Sequence, residues 1–274
     1  MTALKGKAAD AFAKRRDPSI AAVLVYGPDA GLARERADAI ARQVCPDFRD
    51  AFNYLELTDA DLKEEPALLA DEIAALSLMG GERVIRLRTN GEAGAKAAAL
   101  LVAGLENGHV KPNGVVVIEA GDLGRSSALR RLFEGSRAAV ALPCYVDAPA
   151  DVRAIAVDAA RAEGLRIEDD ALEMLCGLLG EDRGVTRAEI NKLILYKGLA
   201  VVRDGPGVIT TGDIRAILID TVSEEGDGAA ALAADGATAA LSRALARYSG
   251  GAGSAVGLLR ALQRQMLRLR SAHM

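Results

Sequence analysis

The chain has 274 residues, of which 50% are apolar and only 3% aromatic, and its formal net charge is −4. This length favours two or three domains, and the alanine-rich apolar set favours helices around an aliphatic core. The negative charge argues against a generally basic nucleic-acid-binding surface, and no apolar run is long enough to cross a bilayer. The three cysteines are widely spaced, which is typical of a reduced cytoplasmic compartment and of a protein without a metal site.

Apolar strands alternate with helices up to Val146, after an opening helix at about Lys5–Arg15. The predicted strands are Ala22–Tyr26, Phe52–Leu57, Arg83–Leu87, Val115–Glu119 and Val140–Tyr145. The predicted helices between them are Leu32–Gln43, Pro66–Ala75, Ala93–Asn107 and Ser127–Glu134. This alternation predicts βαβ units and therefore an α/β domain with a parallel sheet covered on both faces.

The run Asp147-Ala148-Pro149 marks a domain boundary, and mainly helical patterns follow it. These patterns are Ala150–Glu163, Ala171–Leu179, Asp182–Tyr196 and, near the end, about Ala255–Arg270. The sequence therefore predicts three domains: an α/β domain over residues 1–146, a small helical domain over 147–208 and a helical domain over 209–274. The last predicted helix ends without a capping signal, so we expect the third domain to be incomplete.

A strand, a glycine turn and a helix follow one another at residues 22–43, which is the frame of a phosphate-binding loop. In a working loop a lysine and then a Ser or Thr follow the second glycine, whereas Gly31 is followed by Leu32 and Ala33. Asp29, within the turn, would repel phosphate. Gly27 and Gly31 therefore belong to a degenerate loop, and we expect no nucleotide hydrolysis and no cofactor. A nucleotide-binding enzyme with an atypical loop is the alternative.

The sequence gives little support for nucleotide hydrolysis from other positions, for a metal site or for a serine nucleophile. The strand at Arg83–Leu87 carries arginines where an ATPase needs an acid, and Glu119 and Asp122 are more simply explained as a loop acid and a helix cap. The two histidines, His109 and His273, are far apart and lack neighbours at metal-ligand spacing. A serine at a helix start, such as Ser127, is more often an N-cap than a nucleophile.

An ordered set of short motifs resembles the delta subunit of the bacterial DNA polymerase III clamp loader over nearly the whole chain. The motifs are Tyr26-Gly27-Pro28-Asp29, Glu119-Ala120-Gly121-Asp122-Leu123, Ser126-Ser127-Ala128-Leu129-Arg130-Arg131-Leu132-Phe133-Glu134, Cys144-Tyr145, Gly180-Glu181-Asp182-Arg183 and Glu189-Ile190-Asn191-Lys192-Leu193. The resemblance implies an AAA+-like α/β domain, a helical lid domain and a helical collar domain. It also implies that this subunit has no ATPase activity. Where motor subunits carry an arginine finger, this chain has Leu142-Pro143-Cys144.

The resemblance implies a mechanical activity: the subunit binds the ring-shaped sliding clamp and helps to open it for loading on primed DNA. The implied partners are the sliding clamp, ATP-binding motor subunits and other subunits of the loader ring, and primed DNA through the assembled complex. An adaptor of the same architecture that serves a different partner is a further alternative. No membrane association is expected.

The clamp-binding stretch implied by the resemblance is Ser77-Leu78-Met79, just before Gly80-Gly81. Two large apolar side chains in this position cannot easily both face the core, and small apolar anchors dominate the energies of many interfaces. A flexible Met79 suits an adaptable apolar contact. The alternative is that one or both side chains pack under the sheet.

A second possible contact surface lies near the end of the chain. Arg260, Arg264 and Arg268 are four residues apart and share one helix face. They could contact DNA phosphates or acidic neighbours. A solvated helix face is the alternative, and no aromatic residue accompanies the arginines to stack on bases.

Overall fold

The computed structural model describes residues 3–180, 182–202, 205–219 and 228–248, with isolated positions between 258 and 269. The chain divides into two compact units, Met1–Val146 and Asp147–Met274. The division coincides with the end of the predicted α/β domain. Each unit has its own hydrophobic core and is described by itself.

Unit 1 alternates helices and strands. Its elements are α1 (Lys7–Lys14), β1 (Ala22–Tyr26), α2 (Ala30–Arg42), β2 (Tyr54–Thr58), α3 (Asp59–Glu64), α4 (Leu68–Ala74), β3 (Arg83–Arg88), α5 (Glu92–Glu106), β4 (Gly114–Ala120), α6 (Ala128–Gly135) and β5 (Ala139–Pro143). The strands form one five-stranded sheet in the order β2-β3-β4-β1-β5. All four pairings are parallel, and Leu24 lies level with Ile118 on one side and Ala141 on the other.

Side-chain alternation along the strands divides the core of unit 1 between the two faces of the sheet. In β4, Val116 and Ile118 pack against α3, α4, α5 and α6, whereas Val115 and Val117 pack against α1 and α2. Every residue of β1 is buried. A parallel strand with helices on both faces needs apolar residues at successive positions, which explains the uninterrupted apolar run at Ala22–Tyr26.

Unit 2 begins with helices and also contains a short sheet. Its elements are α7 (Pro149–Ala162), β6 (Leu165–Ile167), α8 (Asp169–Leu178), α9 (Arg183–Lys197), β7 (Gly207–Ile209), α10 (Thr211–Ile214) continued by a π-helical turn (Arg215–Ile219), α11 (228–234) and α12 (Thr238–Tyr248). Strands β6 and β7 pair in parallel. Ile209, Ile214 and Leu218 pack into the same core as α7, α8 and α9.

The predicted α/β class is confirmed, and the predicted strand Ala22–Tyr26 agrees with β1 at both ends. Helix α3 in unit 1 and the short strands β6 and β7 in unit 2 were not predicted. The three-domain division stays a prediction, and its second boundary at residue 208 falls within β7. Among the described residues, no helix combines the length and the apolar composition needed to cross a membrane.

Candidate protein-binding site

The loop between α4 and β3, residues 75–82, carries three strongly exposed apolar side chains. The exposed fraction is 82% for Leu76, 88% for Leu78 and 74% for Met79. We call these three residues the apolar tip. Leu78 and Met79 are the predicted contact residues, and their packing under the sheet, the alternative considered above, is not observed. Exposed apolar side chains grouped in this way are typical of protein-binding surfaces.

A tight turn presents the apolar tip. The N–H of Gly80 donates to the carbonyl oxygen of Ser77 at 3.2 Å, and the N–H of Met79 donates to the Ser77 hydroxyl at 3.3 Å. Gly80 and Gly81 both have positive φ, 79° and 91°, a conformation that residues with a Cβ rarely adopt. The predicted site residue Ser77 therefore shapes the turn with its main chain and side chain, while Leu78 and Met79 project from it.

Sequence reasoning missed Leu76. Helix α4 ends at Ala74, and the N–H of Ala75 closes its last turn on the carbonyl of Asp71 at 3.0 Å. Leu76 lies beyond this end, where the helical pattern no longer directs it to the core. The signal available in the sequence was an apolar residue placed immediately after the alanine pair that ends the predicted helix.

At the degenerate phosphate loop, the N-terminus of α2 is capped by the chain itself. Asp29 is fully buried, and its Oδ1 atom accepts a hydrogen bond from the N–H of Leu32 at 2.7 Å. The expectation that Asp29 lies in the turn is correct, and its carboxylate lies where a bound phosphate would meet the helix. No lysine, serine or threonine lies between Gly27 and Ala33 to replace the missing cation and hydroxyl.

Gly27 packs too closely against Cys144, the residue after β5, for any side chain. A Cβ atom built on Gly27 would lie 2.0 Å from the carbonyl oxygen of Cys144. The N–H of Gly27 donates to Gly121 at 3.1 Å, and the N–H of Cys144 donates to Tyr26 at 2.7 Å. This turn is therefore tied by main-chain contacts to the segments that follow β4 and β5.

Strand β3 carries a buried arginine network. Only 4% of the Arg86 side chain is exposed, and its guanidinium forms ion pairs with Asp38 of α2, at 2.6 Å, and with Glu119 of β4. Burial alone would lower the pKa of Arg86, but its hydrogen bonds to Glu119 and Tyr54 and the charges of Glu119 and Asp38 raise that pKa above its ordinary value. Glu119, the last residue of the predicted strand, lies in β4 as that prediction required, and it pairs with this cation and is not a loop acid.

The other predicted site residues do not form a second site within the part of the chain that the structure describes. Arg260, Arg264 and Arg268 lie outside the described residues. Ser127 caps α6 by accepting a hydrogen bond from the N–H of Arg130 at 3.4 Å, as predicted. No group of three or more His, Cys, Asp or Glu side chains within the described ranges is arranged to bind a metal ion.

No family model and no curated protein matches the sequence. Among solved structures, the Bacillus subtilis DNA clamp loader delta protein is similar, with a TM-score of 0.53 and 16% identity, over 93% of this chain and 75% of that one. The chain has an AAA+-like fold. The predicted fold class is thereby confirmed.

Two further AAA+ structures have lower scores. The Thermotoga maritima RuvB Holliday junction branch migration motor has a TM-score of 0.48 and 14% identity, over 81% of this chain and 71% of that one. Domain III of the Thermotoga maritima replication initiation protein DnaA has a TM-score of 0.43 and 13% identity, over 78% of this chain and 89% of that one.

Proposed function

We propose that this chain is a subunit of a bacterial clamp loader that binds a ring-shaped sliding clamp through the apolar tip and helps to open it. The observation that carries the proposal is the exposure of Leu78 and Met79, 88% and 74%, on a turn outside the core. The likeness in fold to a clamp loader delta protein supports it. So does the ordered set of motifs found in the sequence.

The proposed activity is mechanical and requires no reaction at this subunit. A ligand shifts a conformational equilibrium only by its difference in affinity for the two states. A tip that binds the open clamp more tightly than the closed clamp would therefore favour opening. Leu76, Leu78 and Met79 supply apolar anchors for a hydrophobic pocket, and the flexible Met79 side chain can adapt its shape to that pocket.

We further propose that this subunit does not hydrolyse ATP. Asp29 places a carboxylate at the N-terminus of α2, where a phosphate would bind, and Arg86 places a cation on β3, where an ATPase needs an acid; both support this proposal. ATP-binding motor subunits of the same ring would supply the energy. The C-terminal domain would contact them, and Arg260, Arg264 and Arg268 remain candidates for contacts with DNA or partner subunits.

Titration calorimetry with a bacterial sliding clamp tests the proposal. The double variant Leu78→Ala/Met79→Ala should weaken binding roughly 100-fold or more, because truncation of two interface anchors removes a few kcal/mol. The matched control is Val201→Ala/Val202→Ala, since these two side chains are equally exposed, 88% and 76%, but lie in unit 2. Wild-type affinity in the tip variant, with the fold intact by circular dichroism, would rule out the proposed contact.

The adaptor alternative makes a different prediction for the same variants. Affinity capture from a bacterial extract with wild-type protein should retain the sliding clamp, and capture with Leu78→Ala/Met79→Ala should not. Retention of a different protein by both baits, with no clamp retained by the wild type, would favour an adaptor that uses another surface.

A further inference from the structure

Two side chains that lie outside the loop of residues 75–82 connect the two ends of this loop to each other and to the sheet. We propose that Asn113 and Arg83 are positioning residues that hold residues 75–82 in the binding conformation before a partner arrives. The inference rests on the proposed function for its partner, the sliding clamp. The statement that Asn113 and Arg83 fix the loop conformation concerns this chain alone and can be tested without the clamp.

Asn113, the residue before β4, contacts both ends of the loop. Its side-chain Nδ2 atom donates to the carbonyl oxygen of Ala75 at 3.5 Å and to that of Gly81 at 3.3 Å. Its main-chain N–H donates to Ile73 at 2.8 Å, and its carbonyl accepts from the N–H of Arg83 at 2.7 Å. One residue therefore joins the end of α4, the start of β3 and both ends of the loop.

Arg83, the first residue of β3, fixes the end of α4 from the other side. Its Nη1 atom donates to the carbonyl oxygen of Glu72 at 2.6 Å, and its Nη2 atom pairs with the Glu72 carboxylate at 2.8 Å. Its Nε atom donates to the carbonyl oxygen of Phe52 at 3.2 Å. Only 11% of the Arg83 side chain is exposed, so these bonds are shielded from competing water.

Together these bonds satisfy carbonyl groups that the last turn of a helix leaves without intrahelical partners. The carbonyls of Glu72, Ile73 and Ala75 each accept a bond from Arg83 or Asn113. A cation at a helix C-terminus is also favoured by the helix dipole. The two ends of the loop are therefore fixed, whereas Leu78 and Met79 at its turn remain exposed.

A loop already held in its binding conformation loses little conformational freedom when it binds. Ordering of flexible loops and side chains is a major opposing term in association, and pre-organisation reduces it. The structure thus predicts that changes at Asn113 weaken clamp binding although its hydrogen-bond partners all belong to this chain. It also predicts that the loss of affinity comes from a less favourable entropy of binding.

Hydrogen exchange on the full chain tests the structural part without the clamp. In Asn113→Ala, the main-chain amides of Met79 and Gly80, which donate to Ser77, should exchange at least about tenfold faster than in the wild type, because the side-chain bonds that close the loop at both ends are lost. The control is Asn107→Ala, which removes a comparable asparagine bond to the N–H of His109. Unchanged exchange at Met79 and Gly80 in Asn113→Ala would overturn the inference.

Calorimetric titration with the clamp tests whether the fixed loop conformation strengthens binding. Asn113→Ala should bind roughly tenfold more weakly, with a less favourable entropy and an unchanged stoichiometry. Asn113→Asp has nearly the same size but presents only oxygen atoms to the carbonyls of Ala75 and Gly81. If hydrogen bonding matters, this variant should bind at least as weakly as Asn113→Ala; wild-type affinity in Asn113→Asp would overturn the positioning role.

Arg83→Lys provides a second, independent variant. Lysine keeps the charge but cannot reach Phe52 and both groups of Glu72 with a rigid fork. We expect faster amide exchange at Met79 and Gly80 and weaker clamp binding, with a small change in global stability. If wild-type protein does not bind the clamp at all, the proposed function fails, and the exchange comparison still decides the positioning role.

Discussion

The carboxylate of Asp29 lies 2.7 Å from the N–H of Leu32 and caps the first turn of α2. This pair gives the N-terminus of α2 a hydrogen-bond acceptor from the same chain, at the turn where a phosphate-binding loop would hold phosphate. The positive end of the helix dipole already has a negative partner from the same chain. On the proposed function, a phosphate at this helix N-terminus would meet the buried Asp29 carboxylate, and no lysine lies between Gly27 and Ala33 in the sequence.

The first prediction is that ATP with magnesium produces no heat of binding and no change in melting temperature. A ligand at about 100 times its Kd would stabilise the fold by about 2.7 kcal/mol, so a flat melting temperature is informative. An active AAA+ ATPase in the same buffer serves as the positive control. A saturable heat, or a rise of several degrees, would favour the nucleotide-binding enzyme instead.

The second prediction concerns the buried pair of Arg86 and Glu119. Removing one partner leaves the other charge buried, so Arg86→Met should lower the free energy of unfolding by about 3 kcal/mol or more. Adding Glu119→Gln should recover part of this loss, because no unpaired carboxylate remains between β3 and β4. Urea unfolding of the two single variants and the double variant measures the coupling.

Arg88→Met is the matched control for that cycle. Arg88 lies two positions further along the same strand, but 47% of its side chain is exposed, and its nearest carboxylate oxygens are 3.5 Å and 3.8 Å away. Exposed ion pairs contribute about 0–1 kcal/mol. Equal losses of unfolding free energy in Arg86→Met and Arg88→Met would show that burial of the arginine network does not determine its contribution to stability.

Local patterns in the sequence predicted the sheet because each strand of unit 1 has its own signal. Ala22–Tyr26 and Gly114–Ala120 are apolar runs bounded by turn residues, as buried parallel strands require. Strands β6 and β7 have three residues each and pair across some forty residues of sequence, so no periodicity reveals them. Helix α3 was missed because it follows β2 directly, although Thr58 and Asp61 form a capping box at its start.

The candidate site was predictable only in part for the same reason. Leu78 and Met79 stand out as large apolar residues beside two glycines, which is a local feature. The contacts of Asn113 with Ala75 and Gly81 join residues more than thirty positions apart. A local pattern carries no information about which asparagine in a distant loop will contact which carbonyl, so the positioning residues emerge only from the folded chain.

A second carboxylate caps a helix in unit 1, and it carries the third prediction. Asp59 accepts hydrogen bonds from the Thr89 hydroxyl at 2.6 Å, from the N–H of Asn90 at 3.1 Å and from the N–H of Gly94 at 2.9 Å, at the start of α5. Burial raises the pKa of Asp59, but these bonds to the ionised form more than offset it, so the pKa lies below its ordinary value of 3.8.

Because the folded-state pKa of Asp59 lies below the unfolded-state value, its contribution to stability is complete above that value and is lost as pH falls through the folded-state pKa. Asp59→Asn should therefore be less stable than the wild type by about 1–2 kcal/mol near pH 7, and this difference should shrink below about pH 4. Urea unfolding of both proteins at a series of pH values from about 7 to below about 4 measures this difference. Asp122→Asn, which removes an exposed carboxylate after β4, controls for net charge. A difference between Asp59→Asn and the wild type that stays constant down to acidic pH would mean that the ionised carboxylate does not stabilise the start of α5.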